Sequence, residues 1–241
     1  MTSLRTAGGT HVGLVRGRNE DALYQGEWLF AVADGLGGHV AGDIASTTAI
    51  DALKPYDRRV EPDELPATLG RAVSDANEAL RRRIRDDPRH AGMGTTLVAL
   101  MWSGAAAVLA NLGDSRAYLM RGRGRLVQIS EDHTYQHLVA GAATVPTLPE
   151  KITRFLDGRQ DGRSPDITRH ELHPGDRILL CSDGLSSYVP HDVIEDALRA
   201  EEDPARAVDL LTGSALDRGG PDNVTVLLID VADGATDDGQ P

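Results

Sequence analysis

Cys181 is the only cysteine in this 241-residue chain. An internal disulfide framework is therefore excluded, and a lone thiol suits a reducing compartment. Lysine is nearly as scarce, present only as Lys54 and Lys151, so positive charge is carried almost entirely by arginine. No basic block occurs and the formal net charge is −12, which argues against nucleic acid or an anionic membrane surface as partner. Residues 1–9 lack the apolar stretch that a secretory signal needs. One segment, 92–113, is uncharged over nearly a bilayer's width. It is interrupted by Thr95-Thr96, Ser103-Gly104 and Asn111, and two strands joined by a Ser-Gly turn suit it better than a membrane span. A soluble, cytoplasmic, monomeric protein is the expectation.

What is present is ordinary in bulk: 40% apolar and 26% charged residues, in a length that buries a sizeable core. The unusual feature is acidic. Five carboxylates stand beside turn-forming residues at the ends of apolar runs: Asp21, Asp34, Asp114, Asp183 and Asp222. The runs 28–33, 105–112 and 177–182 lead into Asp34, Asp114 and Asp183, and Asp222 precedes the run 224–231. Buried strands delivering acids to a common edge would crowd negative charge, which stays ionised only when cations neutralise it. The pattern proposes a site for several metal ions.

The remaining periodicity places these runs in a fold. Strands are expected at about 10–15 and 28–33, then a helix at about 40–53. Leu65, Leu69, Val73, Ala76, Leu80 and Ile84 lie on one helical face, predicting a long helix over about 63–86. Strands at 95–102, 105–112, 115–120 and 125–129 have links too short for helical crossovers and are expected to be antiparallel. A short helix near 133–140 leads into the Gly-, Pro- and Thr-rich segment 141–165, read as a flap. Strands at 167–172 and 176–182, helices at 190–199 and 204–217 and a strand at 223–231 complete the pattern. The fold class is α+β, with two sheets of apolar strands and helices outside them. Residues 1–232 read as one domain, and 233–241 as a disordered acidic tail.

Alone, Asp34-Gly35 or Asp183-Gly184 is an ordinary strand-ending turn, and Arg16 an ordinary surface arginine. Together, and in order, they form a pattern. Its blocks are Gly13-Leu14-Val15-Arg16-Gly17-Arg18-Asn19-Glu20-Asp21, Ala33-Asp34-Gly35-Leu36-Gly37-Gly38-His39, Gly92-Met93-Gly94-Thr95-Thr96, Gly113-Asp114-Ser115-Arg116, Leu180-Cys181-Ser182-Asp183-Gly184-Leu185 and Gly219-Gly220-Pro221-Asp222-Asn223-Val224-Thr225-Val226. The combination resembles the PPM family, the metal-dependent Ser/Thr protein phosphatases of type 2C, particularly its bacterial members. The likeness spans about 10–232.

The resemblance implies a central β-sandwich flanked by helices, with a metal site at one end. It implies that Asp34 bridges two Mn2+ or Mg2+ ions, that Gly35 adds its carbonyl, and that Asp183 and Asp222 bind the second ion. Glu20 and Asp21 would hold metal-bound waters, and Asp114 with Asp183 a third, weaker ion. Arg16 would clamp the substrate phosphate, for which a planar guanidinium is suited. All-oxygen ligands select hard divalent ions. Two ions about 4 Å apart would generate a bridging hydroxide near neutral pH for direct, in-line attack on phosphorus. Proteins phosphorylated on serine or threonine are the implied substrates, and a cognate Ser/Thr kinase an implied partner.

Two departures stand out. Some family members carry a proposed proton-donating histidine directly after the Asp-Gly pair; here that position is Leu36, and His39 comes three residues later, so the general acid stays unassigned. The flap is shorter than in many bacterial relatives. Other sites are weaker: Cys181 has Ser187 where a phosphate-holding arginine belongs, and His133 and His137 have Thr134 where a zinc peptidase needs glutamate. Gly113-Asp114-Ser115 lacks the late Asp-x-x-His of a lipase-esterase class. The alternative functions are a non-catalytic phosphoprotein-binding module of the same fold and a phosphodiesterase using the same ion pair.

Overall fold

Strand after strand in this chain is apolar on both faces, and the layering follows from that. A computed structural model describes residues 2–36, 41–135, 152–160 and 164–233. Among these, the strands in chain order are β1 (Thr2–His11), β2 (Asp21–Gln25), β3 (Leu29–Leu36), β4 (Gly94–Thr95), β5 (Leu97–Ser103), β6 (Ala106–Leu112), β7 (Arg116–Arg121), β8 (Leu126–Gln128), β9 (Asp166–Glu171), β10 (Asp176–Cys181) and β11 (Val224–Asp233). The helices are α1 (Gly42–Leu53), α2 (Leu65–Asp86), α3 (Asp183–Ser186), α4 (His191–Ala200) and α5 (Pro204–Leu216).

Two antiparallel sheets form, in the orders β1-β11-β10-β7-β8 and β2-β3-β5-β6-β9, with β4 pairing β3. Alternation along each strand assigns its two faces to two cores. Phe30 and Val32 of β3, Val98 and Leu100 of β5 and Leu109 of β6 meet Leu119, Ile178, Leu180, Leu227 and Ile229 from the opposite sheet. The intervening Leu29, Ala31 and Ala33 face outward against α1 and α2. On the other side Leu179, Cys181, Val226 and Leu228 pack against α4 and α5. The result is an αββα sandwich, as expected from the paired apolar runs.

The helices stop for local reasons. Leu65, Leu69, Val73, Ala76 and Leu80 of α2 are buried, and Pro88 follows just beyond its end. Asp203 caps α5 by accepting the Arg206 N–H at 3.0 Å, with Pro204 opening the helix. α4 ends on a buried arginine instead. Arg177 Nη1 donates to Leu198 O at 2.5 Å and also to Glu201 O, while Nε reaches Asp230 Oδ1 at 2.7 Å.

The structure departs from the sequence expectations at three places. The strand expected at 10–15 is instead β1, ending at His11, and β2 was not expected at all. β6 and β7 do not pair; β5 with β6 and β7 with β8 are hairpins, and the link 113–115 crosses from one sheet to the other. The turn after β10 is the short helix α3. Segment 92–113 forms β4, β5 and β6, and no helix among the described residues is long and apolar enough to cross a membrane. Residues 136–140 of the helix expected at 133–140, most of the flap and nearly all of the acidic tail lie outside the described residues.

Candidate metal centre

Register within each sheet, with the stacking of the two sheets, brings the acids together. Asp21 at the start of β2 is the partner of Asp34 near the end of β3. Leu97 opposes Leu112, so the start of β5 lies beside the end of β6, where Asp114 follows. Cys181 opposes both Arg116 and Val226, which places Asp183, just past β10, beside Asp222, just before β11. Antiparallel order thus collects at one end of the sandwich the carboxylates that the sequence scatters.

The acids affect one another electrostatically. Burial, then repulsion from Asp21, Asp183, Asp114 and Asp222, hold the Asp34 carboxyl well above the usual carboxylate range. Burial pushes Asp21 to about 6 even though Ser182 Oγ and Thr225 Oγ1 donate to its Oδ2 at 2.7 and 2.6 Å. Asp114 is raised to about 7 by burial and by Asp183. Arg16 is the cation at this edge. Its Nη2 donates to Asp222 Oδ2 at 2.7 Å, and that bond raises its own pKa, with further attraction from Asp34 and Glu20.

Main chain completes the site. Gly35 pairs with Thr95 and donates its N–H to Glu20 O at 3.1 Å. A Cβ on Gly35 would stand 2.2 Å from Gly42 O, and one on Gly184 would stand 1.8 Å from Asn223 O, so both Asp-Gly turns need glycine for close approach. Glu20 contributes through its backbone as well, its carbonyl also accepting the Ser46 hydroxyl at 2.6 Å.

The atoms present suit a hard divalent ion. Asp21 Oδ1 and Asp114 Oδ1 are buried and accept no hydrogen bond among the described residues, and the donors on offer are all oxygens. Among the described residues no three His, Cys, Asp or Glu side chains close into a ready ligand cage. The site is a convergent acidic field with a main-chain edge, which fits such ions.

Every site residue taken from the sequence lies at this end: Arg16, Glu20, Asp21, Asp34, Gly35, Asp114, Asp183 and Asp222. Asn223 was missed. Its Oδ1 accepts the Glu20 N–H at 2.8 Å, and its Nδ2 donates to Val12 O and Arg18 O at 2.8 and 2.9 Å. It ties the Arg16 loop to the Asp222 turn. Thr96 was missed likewise; its Oγ1 accepts the Asp34 N–H at 2.9 Å and bonds Ser115 Oγ at 2.8 Å. The available signal was position, since both stand inside the quoted sequence blocks as polar residues next to apolar runs.

The weaker candidates do different work. His133 Nδ1 accepts the Gly113 N–H at 3.1 Å and its Nε2 lies 2.8 Å from Asp166, so this ring braces the turn before Asp114. His137 and His39 lie outside the described residues. Cys181 is buried, and burial pushes its thiol up to about 12. A disulfide-exchange reagent is expected to leave the native protein unlabelled and to titrate one thiol after denaturation; rapid native labelling would contradict this burial.

Comparison with known proteins agrees with this geometry. The family model described as "Protein phosphatase 2C" matches residues 15–228. The serine/threonine protein phosphatase PstP of Mycobacterium tuberculosis is 43% identical over 237 residues, 95% of this chain. The chain spans only 45% of that relative's length. A serine/threonine phosphatase stp of Listeria welshimeri is 32% identical, with 92% of this chain and 93% of the relative covered. A crystal structure of the PstP catalytic domain, in complex with two manganese ions, superposes with a TM-score of 0.90 at 41% identity, covering 97% of this chain and all of that one. With the αββα sandwich and its acidic end in place, these matches establish that the chain belongs to the protein phosphatase 2C family.

Proposed function

We propose that the chain is a metal-dependent phosphoprotein phosphatase, hydrolysing phosphoserine and phosphothreonine with Mn2+ or Mg2+. The observation that carries this reading is the field at Asp34, whose carboxyl is raised by burial and then by four other acids while Arg16 stands at the same edge. In this reading Asp34, Asp183, Asp222 and the Gly35 carbonyl hold two ions, Glu20 and Asp21 hold ordered water, and Asp114 with Asp183 serves a third ion. Ions bound there would supply Lewis acidity and water of lowered pKa. The chain's own part is orientation and charge. Arg16, half exposed beside Asp222, turns a planar pair of N–H groups toward phosphate oxygens and offsets their charge. Ser182 and Thr225 hold Asp21 through Oδ2 and leave its buried Oδ1 without a hydrogen bond among the described residues.

The buried, protonated Cys181 supports direct attack by water over a cysteinyl-phosphate route. Residues 1–232 serve as one catalytic domain in this reading. Phosphorylated proteins of a cytoplasmic signalling circuit, including a Ser/Thr kinase, are the proposed substrates, acted on by a monomer. A non-catalytic binding module is disfavoured, because every acid and the arginine are retained at one edge.

Turnover of p-nitrophenyl phosphate and of a phosphothreonine peptide tests the proposal. Both are expected to need added Mn2+ or Mg2+ and to stop with EDTA; undiminished turnover in EDTA would refute it. Arg16→Ala is expected to lower kcat/KM by about tenfold to a hundredfold, the range for loss of a charge-assisted bond. An unchanged kcat/KM would remove Arg16 from the site.

A further inference from the structure

Asn77 stands midway along α2, where asparagine is a poor helix former because its amide competes for main-chain groups. Here the amide bonds to a distant segment. Its Oδ1 accepts the Gly158 N–H at 2.8 Å and its Nδ2 donates to Arg159 O at 2.7 Å. One side chain thus satisfies a donor and an acceptor of adjoining main chain, as a partner strand would. Gly158 is committed to the same surface: its φ is +77°, and a Cβ there would lie 2.9 Å from the main-chain N and Cα of Arg81.

The segment 152–160 continues from this contact to the metal edge. Leu156 is buried and exchanges two N–H···O bonds with Thr95, each 2.9 Å. Thr95 in turn pairs with Gly35 in β4-β3 register, and its hydroxyl donates to Asp34 O at 2.9 Å. The Thr96 N–H donates to the same oxygen at 2.9 Å. A hydrogen-bonded path therefore runs from the Asn77 amide, through Gly158–Leu156 and Thr95, to the backbone of Asp34 and Gly35. Beside it lies an open cleft of about 480 Å³ lined by Val73, Asn77, Leu156, Arg159 and Pro165. Leu156 packs into the apolar cluster that holds Val73, Ala76 and Leu80 of α2, and the Asn77 hydrogen bonds with the close approach of Gly158 fasten the far end of the segment.

We infer that Asn77 is a positioning residue for the metal edge, latching segment 152–160 to α2 so that Leu156 and Thr95 hold the Asp34–Gly35 main chain in its ligating orientation. It touches neither ion nor substrate. Groups bonded directly to a ligand commonly alter metal affinity by about ten- to a hundredfold, and Asn77, acting through Leu156 and Thr95, is expected at the lower end. The inference rests on the phosphatase reading for what the edge binds.

Asn77→Ala and Asn77→Asp test it, the latter keeping an acceptor for Gly158 but losing the donor to Arg159. Amide hydrogen exchange of the metal-free protein and calorimetric Mn2+ binding are read together. In Asn77→Ala, the Leu156 and Thr95 amides are expected to exchange at least about tenfold faster, with β11 and the rest of α2 unchanged. Mn2+ affinity should fall about tenfold, with Asn77→Asp between Ala and wild type. Faster exchange at 156–159 with an unchanged Thr95 amide and unchanged Mn2+ affinity would overturn the inference. Wild-type protein that binds no Mn2+ would overturn the phosphatase reading, and the metal role of Asn77 with it; the wild-type arm separates these two failures.

Discussion

Asp34→Asn is expected to lose phosphatase turnover by at least about a thousandfold while raising the melting temperature of the EDTA-treated protein. Both effects come from one cause. Asp34 sits where Asp21, Asp183, Asp114 and Asp222 repel its charge. Asparagine keeps the shape but cannot ionise, so it removes the ligand charge and relieves the repulsion. The pH dependence follows in sign. Asp21 is raised to about 6 and Asp114 to about 7 in the folded chain, above the ordinary carboxylate value. Between pH ~4 and those values the folded chain keeps protons that the unfolded chain has released. Stability of the metal-free protein therefore falls as pH rises through that window. At pH 7.5 Asp34→Asn should melt higher than wild type, and the gain should shrink toward pH 5. Thermal melts in EDTA at the two pH values check this. A variant that melts lower than wild type at pH 7.5 would contradict the crowding of charge.

The largest expected stability loss lies at the opposite end of the sandwich. Arg177 and Asp230 form a buried pair, with Nε to Oδ1 at 2.7 Å and Nη2 to Oδ2 at 3.1 Å, and the same guanidinium caps the end of α4. Arg177→Leu leaves the buried Asp230 carboxylate with a longer 3.4 Å contact to the exposed Arg5 in place of its close pair, and removes donors from two carbonyls. The cost should be about 3–5 kcal/mol in urea unfolding. Arg177→Leu combined with Asp230→Leu should recover part of it, because no uncompensated charge then remains. Activity per folded molecule should stay near wild type, since the pair is remote from Asp34. A loss below about 1 kcal/mol would contradict the pair's role.

The parts of the fold that could be read from sequence are those whose strands are buried on both faces. β3, β5, β6, β10 and β11 read as continuous apolar runs because one face meets the other sheet and one meets helices. β1 could not be read that way. Thr2–His11 carries Gly8 and Gly9 and no apolar run, and its strand character comes from a ten-residue register with β11. The link 113–115 resembles a hairpin turn by length. Its sheet-crossing role depends on His133, which both donates to and accepts from Gly113 from twenty residues away. The acids were legible because glycine or asparagine beside a carboxylate at a run's end is a local signal. Asn223 was not, because its work is done on Val12, Arg18 and Glu20, at the far end of the sequence. Asn77 was hidden for the same reason, because its partners Gly158 and Arg159 stand 81 and 82 residues away in the chain.

The central claim is that the scattered aspartates act together to bind paired ions. Isothermal titration of the chelated protein with Mn2+ tests it most directly. Wild type is expected to take up two ions, and Asp34→Asn at most one with weakened affinity. Identical stoichiometry and affinity in the two proteins, or no uptake by wild type, would contradict it.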